Sequence, residues 1–483
     1  MKSEELDSLV AEVVRRLETN PEFGALFAQG PRLNSSDSAQ TGVFSTVDDA
    51  VAAAEKAQAE FQPLGLEIRR KIIRAIRHVS LANAEALAKA AVLETGMGRW
   101  EDKRRKNILC ATRSPGVEDL SSRCYTGDKG LTLVEYAPFG VVAAVTPSTN
   151  PAATVINNSI IILAGGNSVV FSPHPASRKC VQETVRLING AIIEAGGPPN
   201  VVTTISEPSQ EATRQLLAHP RARMTLVTGG PAIVKLAMTA GKTCKVIAAG
   251  PGNPPVVVDE TAIFPDCAES IITGCGFDNN VLCIAEKEVI VLDSAKDRFL
   301  EAMRRDARAV ELSPAQTDAL TRAIIMDEGG AGCGEPRVNR DFVGRSPSVI
   351  GKAIGLDLPD SVRVLWADVP NDHPLIRAEQ LMPVLPVTSA RDFDSAVELA
   401  YQAEGGNHHT AAIYSTNIAN LTKMSRRMAC SIFVKNAPTL YGLGMGEGYA
   451  GMSIGTPTGD GITSPLSFVR RLQCSVVGYF RIA

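Results

Sequence analysis

Residues 140–173 read GVVAAVT-PSTN-PAATVINNSIIILA-GGN-SVVFSP. The first run, Gly140–Thr146, is short, small and β-branched, with no polar interruption. That is a strand-like run. Pro151–Ala164 reads as helical and is long enough for about four turns. Ser168–Phe171 is strand-like again. Strand, helix and strand with only a few residues between them form a βαβ unit, and such a unit requires parallel strands.

The alternation continues outward. Ser177–Ala195 is helical and Val201–Ile205 strand-like, followed by Ser209–Ala218, Met224–Thr228, Pro231–Ala240 and Cys244–Ala248 in the same rhythm. Upstream, residues 45–112 read as helices, with apolar spacing at Ile72, Ile73, Ile76, Val79 and Leu87. Downstream, a second α/β series runs from Val256 to about Val434. No repeat of fixed period is present. The expected fold class is α/β. The chain has 483 residues, about three times the usual single-domain size, so two or three domains are expected.

Both ends depart from this rhythm. Residues 1–18, MKSEELDSLVAEVVRRLE, place Leu6, Leu9, Val10, Val13, Val14 and Leu17 on one helical stripe. Leu6 stands where a capping box needs Glu or Gln, yet Glu4, Glu5 and Asp7 make an acidic first turn. Residues 19–41 are a polar, Pro- and Gly-containing linker. A tethered amphipathic helix of this length docks either on its own body or on a partner. Residues 123–138 read as a hairpin around Gly127-Asp128-Lys129-Gly130, and 465–483 as a terminal strand segment. Together they suggest an oligomerisation arm, or else an extension of the chain's own sheet. Residues 439–464 are a glycine-rich loop.

Composition excludes several classes. Hydrophobic residues are 45% and charged residues 21%, and the formal net charge is -3. That is an ordinary globular balance with no basic bias toward nucleic acid or anionic membranes. Ten cysteines without a CxxC pair form neither a disulfide framework nor a zinc site, so no metal is expected and a reducing compartment is. The most apolar run, near Val155–Ala164, is broken by Asn157, Asn158 and Ser159, which argues against a membrane span.

Four features carry possible chemistry. Gly446, Gly448 and Gly451 match G-x-G-x-x-G, but no amphipathic helix follows before Pro457, so this is a loop rather than a dinucleotide fingerprint. Thr228-Gly229-Gly230 joins a strand to a helix and is either a phosphate cradle or an ordinary turn. Cys283, in FDNNVLC before the strand-like Glu288–Leu292, is either a nucleophile or a buried structural cysteine. No His adjacent in sequence marks a Cys–His pair. Asn150, at the end of a strand, is either an oxyanion donor or a turn residue before Pro151.

In their order along the chain these segments resemble the aldehyde dehydrogenase superfamily over roughly residues 42–483. PFGVVAAVTPSTNP is similar to the family's P-x-G-V-x-x-x-I-x-P-W-N, and GNSVVFSPHPAS to its G-N-x-V-V-x-K-P. VTGGPAIV is similar to F-T-G-S-x-x-V-G, and Glu379-Gln380-Leu381-Met382-Pro383-Val384 to E-x-F-G-P-V. The resemblance implies a Rossmann-like cofactor domain at 42–122 and 139–255 and a catalytic domain at 256–438. It implies Cys283 as nucleophile and Asn150 as oxyanion donor. It places Thr146, Pro147, Ser172, Pro173, His174, Thr228, Gly229, Gly230, Glu379 and Pro383 at the cofactor, expected to be NAD.

The departures narrow the resemblance. Hydrolytic members read E-L-G-G-K-S-P, and here the glutamate that activates water becomes Ala248, which cannot accept a proton. A thioester on Cys283 would then pass to a thiol, which is partly thiolate near neutral pH. The usual ribose-binding lysine becomes Ser172. The SPHP form, FDNNVLCIAEKE, ETGMGRWEDK (94–103) and the closing loop resemble the CoA-acylating branch of bacterial microcompartments. That branch implies coenzyme A as co-substrate and residues 1–18 as an encapsulation peptide for shell or core proteins. It also implies a dimer or tetramer in the bacterial cytoplasm, within a microcompartment. Its expected substrate is propionaldehyde, with acetaldehyde as the alternative. Two other readings stay open at this point: a hydrolytic enzyme with another base, for which Glu286 is nearest in sequence, and a non-catalytic scaffold.

Overall fold

The computed structural model describes residues 42–240, 244–327 and 336–482. The helix expected at 1–18 and the linker at 19–41 lie outside the described residues. The chain divides into two compact units.

One unit takes in Lys106–Ala249, the described residues up to Ala90, and those from Gly448 onward. Its strands in chain order are β1 (Val43–Phe44), β2 (Arg123–Gly127), β3 (Gly130–Pro138), β4 (Val141–Thr146), β5 (Ser168–Pro173), β6 (Val202–Ile205), β7 (Met224–Thr228) and β8 (Lys245–Ala249). Six of them form a parallel sheet in the order β1-β6-β5-β4-β7-β8. β4 and β5 are buried along their whole length, as strands of a parallel sheet covered on both faces are. From β4 the chain winds outward to β5 and β6, then returns to β7 and β8 on the other side. The reversal puts a topological switch point between β4 and β7, and the crevice at the strands' C-terminal ends there is where such sheets carry ligands.

The helix Pro151–Ala164 is buried throughout, Asn157 and Asn158 included. A buried amide is costly without partners, and these have them. Asn157 Nδ2 donates to Ser114 Oγ (2.7 Å) and Ala450 O (3.0 Å), and its Oδ1 accepts from the Met452 N–H (3.0 Å). The residues that argue against a membrane span therefore clamp the C-terminal part of the chain.

The other unit holds Ala91–Arg105 and Gly250–Glu447. Its strands are β9 (Pro255–Val258), β10 (Glu288–Leu292), β11 (Ala309–Glu311), β12 (Ile325–Asp327), β13 (Arg337–Val338), β14 (Val364–Asp368), β15 (Val384–Ala390), β16 (Thr410–Tyr414) and β17 (Ile432–Lys435). Seven form a second parallel sheet, β11-β14-β15-β10-β9-β16-β17. Residues 91–105 belong here, although the sequence reading puts them with the first domain. The tie is long-range: the Lys103 ammonium donates to Asp278 at 3.0 Å, and local patterning carries no trace of such a pair.

The last strands, β18 (Ile454–Gly455), β19 (Gly461–Ile462) and β20 (Val469–Val477), return to the first unit. The glycine-rich loop is therefore not wholly irregular, since β18 and β19 form a short antiparallel pair. The hairpin β2–β3 turns at the expected glycines, and β20 pairs antiparallel with β3 from Val469↔Pro138 to Val477↔Gly130. Hairpin and terminal strand thus pair with each other as a three-stranded sheet of their own.

Candidate active site

In the first unit the expected ligand residues gather at the switch point. Thr146 closes β4, and its carbonyl accepts the His174 N–H (3.2 Å) at the end of β5. Thr228, Gly229 and Gly230 leave β7 on the other flank, since Val145 pairs with Val227. Thr146 Oγ1 is buried and has no hydrogen-bond partner among the described residues. The helix Pro231–Thr239 has Gly230 at its N-cap, with no side chain capping its first N–H groups. A side chain placed on Gly230 would meet nothing within 4 Å. An orphaned hydroxyl, open space and uncapped helix N–H groups at one crevice suit a phosphorylated ligand. Ser172 contributes less, because its buried hydroxyl is bonded to Thr213 Oγ1 (2.8 Å). Pro173 is buried and Pro147 half-buried, while His174 is exposed, its Nδ1 accepting from the Ala176 N–H.

Asn150 is the N-cap residue of the helix Pro151–Ala164, yet its side chain makes no capping bond. Its Nδ2 donates to Thr149 Oγ1 (3.1 Å), and its Oδ1 accepts from the Lys106 ammonium. Ala248, which the sequence reading aligns with the hydrolytic glutamate, is fully buried in an apolar cluster with Val145, Leu217, Val227 and Val234.

In the second unit four loops converge where their strands begin. Gly252 precedes β9, Cys283 precedes β10, Glu379 and Pro383 precede β15, and His409 precedes β16. The Gly252 N–H donates to Glu379 Oε1 (3.2 Å). A Cβ on Gly252 would lie 2.6 Å from the Cys283 carbonyl oxygen and 2.8 Å from the His409 ring. Only glycine permits that approach. Pro383 is buried and Glu379 half-buried.

Cys283 is half-buried. Burial pushes the thiols of Cys110, Cys267 and Cys275 up to about 12, so these are inert packing residues. The loop before Cys283 is held at every step. Asp278, Asn279 and Asn280 have φ of 48°, 50° and 63°, three consecutive residues in the left-handed region, a strained arrangement that persists only where surroundings impose it. Asp278 accepts from the Arg99 N–H (2.6 Å) and from Lys103, and its own N–H donates to Asp102 Oδ2 (2.9 Å). Asn280 Nδ2 donates to Cys275 O (2.9 Å) and Glu286 O (3.0 Å). The fully buried Lys287 ammonium donates to Leu282 O (2.8 Å) and to Asn280 Oδ1. Burial lowers the Lys287 pKa, opposed by the charges of Glu379, Cys275, Cys283 and Glu288.

Glu286 is not placed to activate water. Its buried oxygens accept from the Thr439 N–H (2.8 Å) and Oγ1 (2.9 Å), and burial pushes its pKa up to about 7.

Residues 36–328 and 363–457 match the aldehyde dehydrogenase family. The chain belongs to that family. It is 48% identical over 446 residues to the acetylating acetaldehyde dehydrogenase EutE of Salmonella typhimurium, covering 92% of this chain and 94% of that one. A solved propionaldehyde dehydrogenase of Rhodopseudomonas palustris, with bound CoA and an acylated cysteine, matches with TM-score 0.87 and 43% identity over 91% of this chain and 98% of that one. A propionaldehyde dehydrogenase from the Clostridium phytofermentans fucose utilisation bacterial microcompartment matches with TM-score 0.88 and 40% identity over 92% and 100%. The two-unit α/β architecture is thus an aldehyde dehydrogenase fold.

The sequence reading of this aldehyde dehydrogenase missed His409. Its Nδ1 lies 2.9 Å from Thr410 Oγ1, its buried Nε2 has no partner among the described residues, and burial pushes it down to about 4. It is a neutral imidazole packed, through Gly252, beside the Cys283 backbone. It lies 126 positions beyond Cys283 in the sequence, and no local signal separates it from His408. Lys106 and Lys287 were missed for another reason: a lysine in a polar helix or beside two glutamates reads as solvated.

Proposed function

We propose that this chain oxidises a short-chain aldehyde to its acyl-CoA, with NAD as the electron acceptor and Cys283 as the nucleophile. The observation that carries the reading is the contrast between a half-buried cysteine on a braced loop and the two positions considered for a water-activating base, neither of which is placed to act. Ala248 offers only a methyl group, and Glu286 has both oxygens engaged. The acetylating relative and the CoA-bound, cysteine-acylated structure support the same chemistry.

Cys283 thiolate adds to the aldehyde carbon, and the carbonyl oxygen becomes an oxyanion. The Asn150 amide and the Cys283 N–H are assigned to hold that charge. NAD, when bound, supplies the hydride acceptor, and loss of hydride from the carbon leaves a thioester on Cys283. Thr146, Gly229, Gly230 and His174 are assigned to hold its phosphorylated part, and Glu379 to meet the nicotinamide ribose. The CoA thiol, as thiolate, then takes the acyl group and Cys283 leaves as thiolate. One thioester replaces another, so this step is close to balanced in energy and reversible.

Relatives act on two- and three-carbon aldehydes. One methylene alters discrimination by only about 1–3 kcal/mol, so we assign both as substrates, with propionaldehyde preferred. The test is NADH formation from NAD with propionaldehyde or acetaldehyde, with and without CoA, and the product identified by mass. NADH that requires CoA and yields acyl-CoA is the expected result. Sustained NADH without CoA, with free acid as product, overturns the reading.

Residues 1–18 are assigned as the segment that docks on shell or core proteins of a microcompartment. Their removal is expected to leave the turnover of the free enzyme unchanged and to lower its recovery with purified compartments. Equal recovery would sink the assignment.

A further inference from the structure

We propose that Lys106 is a positioning residue that fixes which end of the Asn150 amide faces the reacting carbonyl. The inference rests on the assignment of Asn150 as oxyanion donor. Lys106 lies on the helix Trp100–Arg113 and is only 1% exposed. Its ammonium donates to Asn150 Oδ1. The two ends of an asparagine amide are nearly equal in shape and opposite in polarity. Rotated one way, the side chain offers N–H to a developing negative oxygen. Rotated the other way, it offers a carbonyl dipole that repels that oxygen. An ammonium has donors and no acceptor, so it pairs only with the carbonyl end. The amide nitrogen is thereby turned away from Lys106, where it meets Thr149 Oγ1 at 3.1 Å.

A second observation agrees. An asparagine at an N-cap ordinarily spends its side-chain oxygen on the N–H groups of the first helical turn. Asn150 holds the N-cap position with φ -136° and ψ 55° and makes no such bond. Its oxygen is committed to Lys106 instead. A lysine this deeply buried costs free energy that ordinary packing does not repay, and the orientation of Asn150 is a function that accounts for it.

The experiment compares wild type, N150A, N150D, K106M, K106R and the double variant K106M/N150A. Each is assayed for CoA-dependent NADH formation. Alkylation of Cys283 by iodoacetamide, which forms no oxyanion, is measured alongside. N150A is expected to lower kcat/KM for aldehyde roughly 10²–10³-fold, the usual cost of one oxyanion donor. N150D, which still pairs with Lys106 but has no N–H to offer, falls as far. K106M falls at least about tenfold, with alkylation unchanged, and K106R recovers most of the loss, because a guanidinium also has only donors. The double variant is no slower than N150A, since Lys106 acts through Asn150. Losses that multiply in the double variant overturn the proposal, as does K106M with wild-type activity beside an impaired N150A. A loss of alkylation in K106M equal to its loss of turnover also overturns it, because the role is then structural. Should K106M fail to fold, N150D and K106R carry the comparison. Wild-type activity in N150A would instead overturn the assignment of Asn150 itself.

Discussion

Glu286 and His409 are both buried in the second unit and respond to pH in opposite senses. Glu286 is pushed from 4.5 to about 7. The folded chain therefore holds its proton more tightly than the unfolded chain, and the stability this gives is present below 4.5 and lost as pH rises toward 7. His409 is pushed from 6.5 to about 4. Its contribution is present above 6.5 and lost as pH falls toward 4. Each shift corresponds to something on the order of 3 kcal/mol, so between pH 4.5 and 6.5 the two slopes largely cancel. Chemical denaturation across that window should separate them: relative to wild type, E286Q loses stability on acidification and H409N gains it. Parallel curves for all three proteins would mean that neither group titrates as placed. Ala248 gives a second prediction at this scale. A248E puts a carboxyl where Val145, Leu217, Val227 and Val234 now close over a methyl group. A loss of stability of about 3–5 kcal/mol, that of an uncompensated buried charge, is expected in denaturant, with a higher share of free acid in the product of the folded fraction.

The loop Phe277–Cys283 and the helix Trp100–Arg113 account for what was legible at the scale of the element. β10 was read at its true limits, Glu288–Leu292, because an apolar run bounded by polar residues is a local signal. The strands β4 to β8 were read for the same reason. The helix Trp100–Arg113 was read as a helix, but its inward face was not. Asp102, Lys103, Lys106 and Asn107 are all under 4% exposed, and EDKRRKN has the composition of a solvated surface. Periodicity finds apolar stripes, so a buried stripe of charge escapes it. FDNNVLC reads as a polar turn before a cysteine, but nothing local announces three left-handed residues in a row. They are imposed by partners such as Lys103, which is 175 positions from Asp278. D278A removes the carboxylate that pairs with buried Lys103 and receives the Arg99 N–H. Removing one partner of this buried ion pair is expected to cost about 3–5 kcal/mol, measured in urea. A loss under 1 kcal/mol would mean that the loop holds its shape without that pair.

At the scale of the whole molecule, the α/β class and the two parallel sheets were legible, and the unit boundaries less so. The first unit is discontinuous, since residues 91–105 leave it and residues from Gly448 rejoin it. Local patterns end where the local chain ends, so a domain assembled from distant segments is seen only in part. The antiparallel arm β2-β3-β20 carries Leu472 49% exposed and Val477 75% exposed, with β2 and β20 as its open edges. Exposed apolar groups beside open strand edges fit self-association, and the arm is proposed as the interface of a dimer or tetramer. L472E is expected to yield a smaller species in light scattering at equal concentration, and an unchanged mass would move the interface elsewhere.

The clamp that Asn157 forms with Ala450 and Met452 also bears on the order in which this protein is made. The six strands of the first parallel sheet have all been made once residue 249 is added, but two of the three partners of Asn157, Ala450 and Met452, lie 293 and 295 positions beyond it. β3 waits still longer for β20. At roughly 5–20 residues per second, Asn157 has only Ser114 of its three partners for some tens of seconds while residues 250–447 are synthesised. The nascent first unit therefore passes through a stage with its sheet in place and its C-terminal closure missing. A chaperone that shields an open strand edge would act on it during that interval.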